Sequence, residues 1–357
     1  LQHCECKEST VSARRLTGAN PRQIVHIMHS SAYLVVLTDP ITGRHTMRTL
    51  PAAIALAASA ALLLGACSDP TPSTSNSADS TSTATTAAIT PFDVTTIPVS
   101  EEVAALVPQA VKDRGVLRNG ASTDYAPGEY LAEDGQTPVG YDVDIVKALA
   151  QAMGLKEGTT ETAIFDTILP ALGTKFDIGA SSFTITAERE EAANLISYVQ
   201  VGSAYAVAKG NPKGFNPDDP CGTTIGVQNG TFQHDYAEKL SKDCVDAGKE
   251  KIQVMPLDLQ TDVSVKVIGG QYDATLADST VIGFTISLAE GQLEQVGEVL
   301  EAAPQGIAVA KNDTELALAV QAAMQYLIDE GYLEKILEPY GSQDAALKTA
   351  ELNPAAL

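Results

Sequence analysis

The chain has 357 residues with 23 basic against 45 acidic side chains, a formal net charge of −22, five histidines and no tryptophan. So negative a field repels phosphate backbones and excludes nucleic acid as an expected partner. Histidine-based catalysis has little material, because His3, His26, His29 and His45 all precede residue 47.

Residues 1–46 open on Leu1 and hold Cys4 and Cys6 beside those four histidines. Cys-x-Cys with scattered His lacks zinc-site spacing, so no metal is expected, and the stretch reads as upstream sequence, non-native or untranslated. Met47-Arg48 then precedes an apolar run from Leu50 to Leu64 that closes as Leu64-Gly65-Ala66-Cys67. The run is too short for a spanning helix of about 20 residues, and small residues ahead of a cysteine suit signal-peptidase cleavage and thioether lipidation. Residues 47–66 are therefore expected to be a lipoprotein signal peptide and Cys67 the lipidated residue; the alternative is a buried helix. A lipid anchor at Cys67 places the rest of the chain at the outer face of the cytoplasmic membrane. Setting aside the six basic and three acidic residues before Cys67 leaves 17 and 42, a net charge of −25, and one histidine, His234.

Residues 67–99 are expected to be the lipidated cysteine and a disordered linker. To about residue 95 they are mostly Ser, Thr, Ala, Asp and Pro, too poor in large apolar side chains to fold. About 28 such residues reach on the order of 30 Å, enough to hold a domain off a bilayer.

From about residue 100 to 345, short apolar β-type runs alternate with helical patterns, the signature of an α/β protein with mostly parallel sheets. Val116-Leu117-Arg118-Asn119 reads as an opening strand, Gly140 to Gly154 as a helix with Ile145, Leu149 and Met153 on one face, and Phe165 to Leu172 as a second, short helix. Asp177-Ile178-Gly179-Ala180 reads as a strand leading through Ser181 and Ser182 to a helix capped by Thr186. That cap puts Arg189 in the first turn, where a cation opposes the helix dipole by roughly 0.3–1 kcal/mol. Either an anion such as a ligand carboxylate offsets it, or Arg189 pairs with Glu190, Glu191 or another acid.

Cys221 and Cys244 lie 23 positions apart in a segment expected outside the cytoplasm, so a disulfide is expected, the alternative being two buried thiols. Thr224-Ile225-Gly226-Val227 reads as a strand followed by Gly230-Thr231-Phe232-Gln233, which opens a helix and offers backbone N–H groups to an anion, or is an ordinary turn. After a strand at Ile252-Gln253-Val254 and a helix ending near Gly269-Gly270, the strand from Asp273 ends near Asp278, either a carboxylate at a strand's carboxyl end or a helix cap. Gly306 to Ala310 and a helix from Asp313 to about Asp329 complete the pattern. About 245 residues suit two lobes better than one sheet. Ser203 to Ala208 and Gly306 to Ala310, similar small-residue extended runs, are expected to be paired crossings between the lobes.

Six segments in this order resemble the bacterial extracellular solute-binding proteins of family 3, which serve ABC importers of polar amino acids: Gly120 through Glu129, Val139 to Asp144, Phe165 to Leu172, Ser181 to Arg189, Val227 to Phe232, and Asp273 to Asp278. The resemblance spans roughly residues 103–341. It implies a two-lobed, type II periplasmic-binding-protein-like fold, each lobe a mostly parallel sheet flanked by helices, joined by two crossing segments. The expected parts are lobe 1 over 100–205 and 306–345, lobe 2 over 206–305, and a C-terminal tail over 346–357. It also implies a clamp that closes on one free amino acid and hands it to permease subunits, as a monomer without a cofactor. By matching position, Arg189 holds the α-carboxylate with Thr184 and the N–H groups of Thr231 and Phe232. Asp278 with Ser181 and Ser182 takes the α-ammonium, and Tyr125 and Phe165 flank the side chain. Ser122 stands where relatives that bind basic amino acids carry an acid, which points to a neutral polar or acidic ligand, although Asp124 and Glu129 lie near. A zwitterion stripped of water needs one fixed cation and one fixed anion, since an unpaired end costs several kcal/mol, on the order of the burial penalty of an isolated charge.

Two other readings share the scaffold. Cyclohexadienyl dehydratases also resemble this family, and Glu129 is the candidate acid for such an enzyme; a tethered sensor docking on a membrane receptor is the third.

Overall fold

The computed structural model describes residues 89–300 and 302–354. The expected signal peptide, Cys67 and the linker up to residue 88 lie outside the described residues. So do residues 1–46.

Thirteen strands form three sheets among the described residues. The first large sheet contains β1 (Val116–Ala121), β5 (Glu157–Thr162), β6 (Ile178–Thr184), β7 (Ala193–Val201) and β13 (Ala303–Ala310), in the order β5-β1-β6-β13-β7. The second contains β8 (Ser203–Ala208), β9 (Thr224–Gln228), β10 (Gln253–Leu257), β11 (Ala274–Asp278) and β12 (Leu293–Val296), in the order β10-β9-β11-β8-β12. In each sheet four strands run in one direction and one, β13 in the first and β8 in the second, runs against them. A small antiparallel sheet of β2 (Asp124–Tyr125), β3 (Glu129–Leu131) and β4 (Pro138–Val139) follows β1.

The first sheet is covered on both faces, which is why β6 is buried along its whole length and reads as a nearly unbroken apolar and small-residue run. One face packs Leu117, Ile178 and Ile307 against the helices Tyr141–Ala152 and Thr314–Asp329 through Ile145, Leu149, Val320 and Met324. The other packs Phe183, Leu195 and Ala308 against Phe165 and Ile168. The second sheet has its own core, with Tyr205, Ile225, Val227 and Leu276 meeting Ala237 and Cys244 of the helix Phe232–Asp246. The alternation of strands and helices thus builds two lobes, and the carboxyl ends of β6, β9 and β11 supply the residues between them.

The lobe boundaries differ by a few residues from those expected. The chain leaves the first sheet after Val201 and enters the second at Ser203, so residues 203–205 belong to lobe 2. It returns between Val296 and Ala303, so 303–305 belong to lobe 1. Ser203–Ala208 and Gly306–Ala310 are not the crossings; each lies wholly within one sheet, and their small side chains serve packing between covering layers. The outgoing crossing is centred on Gly202, where a Cβ would come within 2.6 Å of the Leu300 carbonyl. Leu300 N donates to Ser203 O at 2.7 Å, which ties the crossings together.

Two terminal stretches are more ordered than expected. Within the expected linker, residues 89–99 pack on lobe 1, with Ile97 1% exposed and Ile89, Phe92 and Val94 against the core, because apolar side chains reappear there. In the expected tail, residues 346–353 line the outer edge of β7: Leu347 N donates to Tyr198 O and Asn353 N to Leu195 O, covering backbone groups an edge strand leaves open.

Cys221 and Cys244 form the expected disulfide, fastening the segment before β9 to the helix behind it. Replacing both cysteines with serine is expected to lower stability by about 3 kcal/mol in the chain-entropy account. Urea unfolding of the oxidised protein and the variant checks this; coincident midpoints would contradict it.

Candidate functional site

Thr186 caps the helix Ala187–Ala192, its Oγ1 accepting from Arg189 N at 3.3 Å. The cap fixes Arg189 at the third helical position and aims its side chain back over the end of β6. Arg189 Nη1 donates to Thr184 O at 2.7 Å, and Nη2 crosses to lobe 2 and donates to Gly230 O at 2.9 Å. Its Cζ sits 5.5 Å from both the Phe165 and Phe183 ring centroids, and those rings stack on each other at 4.6 Å. The side chain is 9% exposed, yet among the described residues it has no carboxylate within 4.0 Å, so the pairing with Glu190 or Glu191 considered above does not form. Burial pulls its pKa below the usual value while the charges of Asp235 and Asp278 oppose that shift. Two of the five N–H donors of the fork are engaged. A buried, aromatic-backed cation with spare donors is suited to a planar anion.

Asp278 ends β11, 4% exposed, and accepts from Gln233 Nε2 and Gln305 Nε2, each at 2.7 Å. Gln233 belongs to lobe 2 and Gln305 to lobe 1, so the two lobes share this carboxylate. Its backbone N–H donates to the Tyr125 hydroxyl at 3.1 Å. Burial pushes the carboxyl up to about 7, against the opposing pull of Gln233, Gln305, Arg189 and Tyr125. The side chain of Asp278 makes no cap bond to the helix Ser279–Leu288, so the capping alternative does not hold.

The helix Phe232–Asp246 starts beside the same space. Thr231 caps it by accepting from His234 N at 3.1 Å. Gly230 precedes it at φ +75, packed so closely against lobe 1 that a Cβ would lie 2.9 Å from Asp166 Cβ. The N–H of Thr231 turns back to Gln228 O at 3.4 Å and that of His234 is taken by the cap, which leaves the N–H groups of Phe232 and Gln233 as the donors this helix start offers to an anion.

Behind the cavity lie two fully buried carboxyls, Glu129 and Asp142. Glu129 accepts from Ser181 Oγ at 2.7 Å and Ser182 Oγ at 3.2 Å, while Asp142 accepts from Ser182 N at 2.9 Å. Burial first, and then the Asp142 charge, pushes Glu129 well up; burial also raises Asp142. Two buried carboxyls sharing one hydroxyl without a cation between them favour holding a proton. Asp142 Oδ1, unpartnered among the described residues, is free to accept it.

Arg189 and Asp278 therefore border one small cavity together with Tyr125, Phe165, Ser182, Thr184, Thr231 and Phe232. Two of the expected site residues do not line it. Ser181 points to Glu129, and Ser122 joins Asp124 Oδ1 at 3.0 Å and Gln228 Nε2 at 3.0 Å in a contact between the lobes. Ser182 takes φ +52, which breaks the alternation of β6 and lets the adjacent Ser181 and Ser182 hydroxyls both reach Glu129, while Ser182 also borders the cavity. Sequence reasoning missed Gln233, which lines the cavity, and Gln305, and gave Phe183 no role. Among the described residues no group of three or more His, Cys, Asp or Glu could hold a metal, and no helix is long and apolar enough to cross a membrane.

Comparison with known proteins agrees with this architecture. The chain is 36% identical over 255 residues to an arginine-binding protein of Corynebacterium glutamicum, covering 71% of this chain and 83% of that protein. Among solved structures, an ancestral arginine-binding protein bound to arginine superposes with a TM-score of 0.58 at 30% identity, covering 64% of this chain and 98% of that one. An ancestral amino acid-binding protein, a precursor of cyclohexadienyl dehydratase, superposes at 0.56 with 27% identity, covering 66% of this chain and 99% of that one. Residues 117–343 match a family described as bacterial extracellular solute-binding proteins, family 3, and the chain belongs to that family.

Proposed function

We propose that this protein captures one free α-amino acid between its lobes and delivers it to the permease of an ABC importer. The observation that carries this reading is the pair Arg189 and Asp278: a buried cation without an ion-pair partner among the described residues and a buried carboxylate, one from each lobe, on one cavity. The α-carboxylate meets Arg189 and the helix start at Phe232. The α-ammonium meets Asp278, with Ser182 beside it, while Tyr125 and Phe165 flank the side chain. A ligand held from both lobes favours their closure, with Gly202 and the return segment as hinges.

The expectation of a neutral polar or acidic ligand rested on Ser122, which takes part in a lobe contact instead and carries no information on side-chain class. Glu129 and Asp142 lie behind the cavity wall, where burial favours their protonated forms, and Asp124 does not border the cavity, so these acids do not select the side chain. The side-chain candidate comes from the relatives: two of those described above are named for arginine, and arginine is the first candidate here. The dehydratase reading draws no support from Glu129, whose oxygens accept from Ser181 and Ser182 behind the cavity wall. Thioether lipidation at Cys67 would hold the protein, as a monomer, at the outer face of the cytoplasmic membrane.

A thermal-shift screen against the twenty amino acids is expected to give its largest stabilisation with arginine, about 2.7 kcal/mol at a hundredfold excess over Kd. Stabilisation by glutamate or aspartate in preference to arginine would overturn the side-chain assignment, and none by any amino acid would overturn the function.

A further inference from the structure

We propose that Asp124 is a latch between the lobes: a lobe 1 carboxylate that caps a lobe 2 helix when the lobes meet and so sets the affinity of the cleft without touching the ligand. The inference rests on the amino-acid-binding reading above.

The lobe 2 helix Gln260–Ile268 starts after Leu259, a residue with no side-chain oxygen, so its first N–H groups have no cap of their own. Asp124 supplies one from across the gap, its Oδ2 accepting from Thr261 N at 3.3 Å. Its Oδ1 accepts from Ser122 Oγ at 3.0 Å and from Gln228 Nε2 at 3.4 Å, and Gln228 Nε2 also reaches Asp258 O at 3.1 Å. The carboxylate is thus held by its own loop and by two elements of the other lobe. It has no Lys or Arg within 4.0 Å among the described residues and does not border the cavity. Burial raises its pKa, hydrogen bonds from Ser122, Thr261 and Gln260 lower it, and Asp262 in the same first helical turn adds a like charge. When the lobes part, Asp124 and the helix start each return to water and the cap is lost. Closure therefore gains a capped helix that neither lobe has alone.

The test compares Asp124→Ala and Asp124→Asn. Calorimetric Kd values are measured for every amino acid the wild type binds, with ligand-free melting temperatures and the ligand-free distance between labels on the two lobes. Asp124→Ala is expected to raise Kd by about three- to thirty-fold, by the same factor for each ligand. Asp124→Asn, whose amide oxygen still accepts, should cost no more than about threefold. The ligand-free distances of Asp124→Ala should shift toward open while its melting temperature stays near that of the wild type. An unchanged Kd, or a loss confined to ligands with cationic side chains, would overturn the latch, the second by making Asp124 a ligand contact. If the wild type binds no amino acid, the cleft reading fails, and the latch then stands or falls on the ligand-free distances alone.

Discussion

Arg189→Lys is expected to raise the Kd for the bound amino acid by roughly thirty- to a thousand-fold, about 2–4 kcal/mol, within the range seen when a buried hydrogen-bonded charge pair loses one partner. Lysine keeps the charge but has no planar fork, so it cannot hold the Thr184 and Gly230 carbonyls and still present two donors to a carboxylate. Part of that loss could arise from a weakened lobe contact, because Nη2 reaches across to Gly230. A cycle in the ligand separates the two: wild type should discriminate strongly between arginine and its α-amide, and Arg189→Lys should discriminate much less. Equal discrimination in both proteins would assign Arg189 to closure alone.

Asp278→Asn is expected to raise Kd by at least about thirtyfold, and it carries a second signature in pH. A carboxyl pushed up to about 7 is partly protonated in the ligand-free protein near neutrality. An ammonium group requires the ionised form, so binding must expel that proton. Affinity should therefore be greatest above pH 7 and fall as pH drops below it, approaching tenfold per pH unit. An exposed aspartate would show the same fall only near about pH 4, where it begins to take up a proton. In Asp278→Asn the slope between pH 5 and pH 7 should flatten. A wild-type Kd constant over that interval would show that Asp278 does not exchange its proton for the ligand.

Much of this site was legible in local sequence because its parts are punctuated. Thr186 followed three residues later by Arg189 is a cap with a misplaced cation, and Asp278 closes an apolar strand. The helices Tyr141–Ala152 and Thr314–Asp329 announce themselves by apolar spacing and flanking Gly140 and Asp313. Other parts had no local sign. The strand β5, Glu-Gly-Thr-Thr-Glu-Thr, is an exposed edge with no apolar alternation, and β7 follows the Arg189 helix without a Gly or Pro to mark the change. Gln233 and Gln305 reach Asp278 from different lobes, a meeting that only tertiary structure creates. Gln305 sits where the pairing of β13 with β7 shifts register, a feature that re-aims a side chain and leaves no mark in composition. The small residues of Ser203–Ala208 looked like hinges because extended runs of that kind suit either a crossing or a buried strand, and burial on both faces decided for the strand.

The central claim concerns opposite charges on facing lobes that neutralise both ends of an amino acid, and calorimetry with trimmed ligands addresses it most directly. Arginine should bind, while agmatine, which lacks the α-carboxylate, and the α-deaminated acid, which lacks the ammonium, should each lose at least about a hundredfold in affinity. If either analogue binds within a few-fold of arginine, the end it lacks is not held by Arg189 or Asp278 and the two-charge clamp is contradicted.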